Sequence, residues 1–104
     1  MGFTGSRILI AGLGLIGGSV AKALKSAGCA HVCALDNDAD SIEAAEAQGI
    51  IKAGFAENSQ SFDIVICALP PHTVPAIYDQ VKDRLADGGV FAELSGLKTA
   101  LVDA

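Results

Sequence analysis

The stretch from Arg7 to Ser19 constrains this chain more than any other. It opens on Ile8-Leu9-Ile10-Ala11, four apolar residues in a row, which suits a strand buried on both faces of a parallel sheet. Gly12, Gly14 and Gly17 follow in the order G-x-G-x-x-G and lead into Ser19-Val20-Ala21-Lys22-Ala23-Leu24, a helix-like pattern. Each glycine has a mechanical role. Gly12 permits a tight turn off the strand, Gly14 lets a pyrophosphate approach bare backbone, and Gly17 lets the helix pack close to the sheet. The free N–H groups of the helix's first turn, with its dipole, then make an anion site. The stretch reads as a dinucleotide cradle.

A second residue strengthens that reading. Asp36 ends the next apolar run, His31-Val32-Cys33-Ala34-Leu35, nineteen positions after Gly17. A carboxylate at about that distance accepts hydrogen bonds from the adenosine ribose hydroxyls. Asn37 follows it and no arginine comes close after, so the expected cofactor is NAD rather than NADP. A carboxylate repels a 2′-phosphate, and only a cation such as Lys52 reaching in would offset that.

The rest of the chain alternates in the same way. Ala27-Gly28 ends the first helix, and Ser41 to Gln48 reads as a second helix stopped by Gly49. Ile50 to Phe55 reads as a short third strand, and Glu57 to Ser61 as a polar connection with room for a partial helix. Phe62 to Leu69 is the next buried strand, terminated by Pro70-Pro71. Thr73 is positioned to cap a helix from Val74 to Leu85, whose apolar face is Ile77, Val81 and Leu85. Asp87-Gly88-Gly89 reads as a turn before a fifth strand, Val90 to Leu94. The pattern predicts a doubly wound α/β sheet of about five parallel strands in the order 3-2-1-4-5, with ligand at the carboxyl ends of strands one and four. Gly12–Gly17, Asp36, Leu69–His72 and Ser95–Lys98 all fall on that rim.

At 104 residues the chain is one domain, large enough to bury a core. Seven Lys and Arg stand against twelve Asp and Glu, a net charge of −5 without a basic cluster, which argues against nucleic acid or an anionic membrane as partner. The apolar run from Ile8 to Gly18 is broken by glycines and falls short of the ~20 residues a bilayer span needs. The first residues lack the features of a signal peptide, so the expected location is cytoplasmic. Cys29, Cys33 and Cys67 are an odd set with no C-x-x-C and read as reduced, partly buried thiols. Cys29, His31 and Cys33 alternate and would share one face of a strand, but helices should cover that strand and a fourth ligand is missing, so no metal is expected.

With the rim segments in view, the chain resembles the N-terminal dinucleotide-binding domain of the prephenate/arogenate dehydrogenases. The resemblance rests on G-L-G-L-I-G-G-S at Gly12–Ser19, the strand ending at Asp36, A-L-P at Ala68–Pro70 and E-L-S-G-L-K at Glu93–Lys98. It implies an oxidoreductase of tyrosine biosynthesis that oxidises and decarboxylates prephenate or arogenate. It also implies that Gly12, Gly14, Leu15, Ile16 and Gly17 line the pyrophosphate, Asp36 and Asn37 the ribose, and that Leu69 and Pro70 lie beneath the cofactor. The family's last motif commonly reads Gly-Ser-Val-Lys; here Gly96 stands at the serine position, leaving Ser95 and Lys98 as candidates near the reacting centre. The resemblance implies a helical substrate and dimerisation domain beyond these residues, so that this part alone binds cofactor without turning over substrate and the parent is a homodimer.

Three alternatives stay open. His72 has a suitable pKa for a general base, yet the family's catalytic histidine lies elsewhere and loop histidines are common. Glu93 faces either the rim or a neighbouring strand. The same fold also serves a non-catalytic NAD(H)-sensing module or another dehydrogenase, such as one acting on 3-hydroxy acids.

Overall fold

Four consecutive buried residues place β1, Ile8–Ala11, at the centre of the sheet. The computed structural model describes residues 5–55 and 61–94. β1 is flanked by β2, Val32–Leu35, and β4, Phe62–Cys67, both parallel to it. β3, Ala53–Gly54, lies outside β2, and β5, Leu85–Glu93, lies outside β4. The order is β3-β2-β1-β4-β5, as the alternation predicts. Among the described residues three α-helices connect them: α1, Leu15–Ser26; α2, Ala39–Ala47; and α3, Val74–Val81.

Right-handed crossovers put helices on opposite faces once the strand order reverses. Ile8, Ile10, Val32 and Ala34 pack on one face with Ala21 of α1 and Ala45 of α2. Leu9, Cys33, Phe62 and Val65 pack on the other with Val81 of α3. Cys29 belongs to the first cluster and Cys33 to the second. The shared face expected for Cys29, His31 and Cys33 is therefore not formed, because β2 begins only at Val32.

α1 and α2 end alike. In α1 the Cys29 N–H reaches the Leu24 carbonyl at 3.0 Å and the Gly28 N–H the Lys25 carbonyl at 3.0 Å. In α2 the Ile50 and Gly49 amides repeat the pattern onto Ala45 and Glu46. Both are Schellman motifs, with Gly28 and Gly49 at positive φ as the motif requires. Lys25 Nζ then donates to the Gly49 carbonyl at 2.8 Å, tying the two helix ends together.

Several boundaries differ from the sequence-based expectation. α1 starts at Leu15, taking Gly17 and Gly18 into its first turns. α2 starts at Ala39 because Asp38, whose side chain accepts from the Asp40 N–H at 3.1 Å, is its cap. β4 ends at Cys67, leaving Ala68 and Leu69 in the turn. Thr73 does not cap α3; its Oγ1 donates to the Pro70 carbonyl at 2.6 Å, inside a 3-10 turn over Pro71–Thr73. α3 stops at Val81 and passes through a 3-10 turn, Lys82–Arg84, to an extended Leu85. Leu85 is partly buried through strand pairing with Phe62 instead of through the helix. The expected turn at Asp87-Gly88-Gly89 is an irregularity within β5: Phe62 pairs with Leu85 but Ile64 with Val90, so the residues between bulge from the ladder. Among the described residues no helix is long and apolar enough to cross a membrane.

Candidate dinucleotide-binding site

The carboxyl ends of β1 and β4 open where the strand order reverses, the usual ligand crevice of such sheets. Gly12 leaves β1 at φ +98°, and a Cβ there would lie 2.8 Å from the Leu69 side chain. Its N–H donates to the Leu35 carbonyl at 2.7 Å, holding the turn to the end of β2. Gly17 touches the turn from above, since a Cβ on it would fall inside the Gly12 carbonyl oxygen. Gly14 is different: a Cβ there would meet nothing within 4 Å. The space in front of it is open, as a pyrophosphate requires.

α1 supplies the donors. Its first intrahelical bond runs from the Gly18 N–H to the Gly14 carbonyl at 2.8 Å, so the amides of Leu15, Ile16 and Gly17 precede the helical ladder. Gly14 offers no side-chain cap and the first turn holds no acid, leaving the positive end of the dipole uncompensated. Leu15 is 88% exposed on this rim. These features fit the diphosphate of a dinucleotide.

Asp36 follows β2 directly. Its Oδ2 accepts from the Leu13 N–H at 2.7 Å and its Oδ1 from the Asp38 N–H at 2.8 Å. Next to it, Leu35, Asn37, Leu69, Ile77 and Gln80 line a slot of about 100 Å³ in which apolar Leu35, Leu69 and Ile77 stand beside polar Asn37 and Gln80. A larger cleft of about 330 Å³ lies on the other side of Asp36, against Ile42 and Phe55. The smaller slot joins the β2 side to the β4 side across the crevice, whereas the larger one runs from the end of β2 to α2 and β3.

The structure thus brings Gly12, Gly14, Leu15, Ile16, Gly17, Asp36, Asn37, Leu69 and Pro70 to one edge. His72 lies exposed in the 3-10 turn after β4, and Glu93 is the exposed last residue of β5. Ser95, Gly96 and Lys98 lie outside the described residues. Lys52 is remote from the ribose side: its N–H meets the Val32 carbonyl at 2.7 Å, at the amino end of β2. Cys67 ends β4 fully buried, and that burial pushes its thiol pKa up, against a hydrogen bond from the Leu69 backbone. It stays protonated and is a packing residue. Sequence reasoning missed Leu13 and Asp38, which act through backbone amides and carry no side-chain signal. Ile77 and Gln80 were read only as part of a helix.

The family model for the NADPH-binding domain of acetohydroxy acid isomeroreductase matches residues 3–101. Among solved structures, prephenate dehydrogenase from A. aeolicus, in complex with hydroxyphenyl propionate and NAD⁺, is similar over 85% of this chain and 32% of its own, at 27% identity and TM-score 0.73. Mycobacterium tuberculosis 3-hydroxyisobutyrate dehydrogenase matches over 86% of this chain and 31% of its own, at 26% identity and TM-score 0.72. Synechocystis arogenate dehydrogenase shares the fold at 20% identity and TM-score 0.74, over 84% of this chain and 32% of its own. The chain spans about a third of the length of these proteins.

Proposed function

This chain belongs to the family of acetohydroxy acid isomeroreductase NADPH-binding domains, and within that fold we propose, on the charge around Asp36 and the rim segments, that it holds NAD, in preference to NADP, for a dehydrogenase acting on prephenate or arogenate. The nicotinamide ring supplies a hydride acceptor when bound. The protein's own part is to grip and orient. The amides of Leu15 to Gly17 meet the diphosphate, Asp36 accepts from the adenosine ribose, and the slot between Leu35 and Leu69 takes the base.

The observation that carries the preference is charge. Asp36 is followed by Asp38, Asp40, Glu43 and Glu46, with no Lys or Arg between Lys25 and Lys52. A 2′-phosphate brings a charge of about −2 to this acidic border, and no guanidinium stands ready to pair with it. The family's name carries NADPH; the acids around Asp36 favour the unphosphorylated dinucleotide.

The substrate assignment is supported by the rim segments Gly12–Ser19, Ala68–Pro70 and Glu93–Lys98 and by the likeness to a prephenate dehydrogenase. Calorimetric titration of the chain with NAD⁺ and NADP⁺ tests the cofactor: tighter NAD⁺ binding is expected, and NADP⁺ preference would overturn it. Assay of the parent protein with prephenate, arogenate and 3-hydroxyisobutyrate tests the substrate. Turnover of the last alone would move the domain to a 3-hydroxy acid dehydrogenase, and NAD⁺ binding without turnover of any would favour a sensing module.

A further inference from the structure

We propose that Asp36 is also a positioning residue, whose carboxylate clamps the glycine turn in the shape that receives the diphosphate. The inference deepens the dinucleotide reading and rests on it. Three backbone segments meet at this one side chain. Oδ2 takes the Leu13 N–H at 2.7 Å, from the middle of the turn, and Oδ1 takes the Asp38 N–H at 2.8 Å, from the cap of α2. The carboxylate itself extends from the end of β2. It therefore joins the entrances of two helices to the sheet edge.

The turn needs such a restraint. Gly12 and Gly14 flank Leu13, and glycine restricts the backbone less than any other residue. Among the described residues this turn is tied to β2 by the Gly12 N–H bond to the Leu35 carbonyl and by the Leu13 N–H bond that Asp36 accepts. Without the carboxylate, the Gly12–Leu13 peptide loses its tie, and the turn that leads into Gly14 no longer holds its backbone against the diphosphate. Each carboxylate oxygen has two acceptor sites, so holding the two amides leaves capacity for a ribose hydroxyl.

Charge and clamp make opposite predictions for a ligand without the adenosine ribose. If Asp36 acted only as a ribose acceptor, its negative charge would merely repel inorganic pyrophosphate, and removing it would leave binding equal or tighter. If Asp36 clamps the turn, Asp36→Ala weakens pyrophosphate even though a repulsive charge has gone. Asp36→Asn separates the two effects, since its one side-chain carbonyl can accept the Leu13 N–H while the charge, and the bond from the Asp38 N–H, are lost.

The experiment is pyrophosphate and NAD⁺ titration of the chain and both variants, with amide hydrogen exchange at Leu13. The expected result is Leu13 exchange about tenfold faster in Asp36→Ala, near that of the unsubstituted chain in Asp36→Asn, and pyrophosphate binding weakened only in the alanine variant. Where alanine lowers stability too far, Asp36→Ser, too short to reach Leu13, takes its place. Equal Leu13 exchange in the chain and the alanine or serine variant overturns the clamp. So does pyrophosphate binding that is unchanged or tighter in that variant. NAD⁺ failing to bind the unsubstituted chain would overturn the cofactor reading, while the exchange result still decides the clamp.

Discussion

Two glycines of the turn have opposite surroundings, and their substitutions should fail in opposite ways. A methyl group on Gly17 runs into the Gly12 carbonyl, which is backbone and has nowhere to retreat. Gly17→Ala is expected to lower unfolding free energy by about 3 kcal/mol, at the upper end of overpacking costs, read by urea denaturation. Gly14 has open space before it and a φ of −67°, which alanine adopts freely. Gly14→Ala should leave stability within about 1 kcal/mol yet weaken NAD⁺ at least tenfold by calorimetry, because the methyl stands where the diphosphate approaches. Asp63 gives a residue-scale prediction in pH. The Arg7 backbone N–H, 2.9 Å from its Oδ2, and the Arg7 guanidinium hold its carboxyl below the ordinary carboxylate value. A carboxylate with a lowered pKa stabilises the fold above its unfolded pKa and loses that contribution as pH falls through the folded one. The chain should therefore exceed Asp63→Asn in stability near neutral pH, with the difference shrinking below about pH 4 in urea melts run across pH.

At the scale of elements, the 3-10 turn after α3 carries a structural side chain. The Arg84 guanidinium lies 4.1 Å from the Phe55 ring centroid and 5.2 Å from that of Phe62, and donates to the Phe55 carbonyl at 3.0 Å. It fastens the start of β5 to the end of β3 and the start of β4. Arg84→Ala should cost about 1–2 kcal/mol, with Arg84→Lys recovering only part because an ammonium does not stack, as chemical denaturation of the three proteins would measure. Arg84 also shows where the sequence was legible and where it was not. The run at Ile8–Ala11, the glycines after it and the acid at Asp36 identify β1, the turn and the strand order, because each is a local signal. Leu85 misled, since its spacing from Ile77 and Val81 fits a helix while its burial comes from pairing with Phe62. Asp87-Gly88-Gly89 has turn chemistry, and tertiary pairing converted that turn into a bulge. Thr73 has capping chemistry but spends its hydroxyl on Pro70. In the site, glycines and an acid were readable; the amides of Leu13 and Asp38 were not, because every residue but proline carries one.

For the whole molecule, ligand binding and folding are linked. A ligand that binds only the folded chain stabilises it by about 2.7 kcal/mol when present at a hundred times its dissociation constant. For a domain of this size that raises the melting temperature by roughly 10 °C or more. NAD⁺ should produce that shift in a thermal melt, NADP⁺ at equal concentration a smaller one, and Gly14→Ala should cut the NAD⁺ shift to about half or less. The contact between Gly17 and the Gly12 carbonyl has a wider consequence. It is backbone against backbone, so the height of α1 above the sheet at the ligand end is set by the main chain and not by core side chains. Residues such as Val20, Ile10 and Leu24 are thereby free to be exchanged for other apolar shapes without retuning the anion site. The helix rests on a hard stop, and the core beneath is insulated from the chemistry above it.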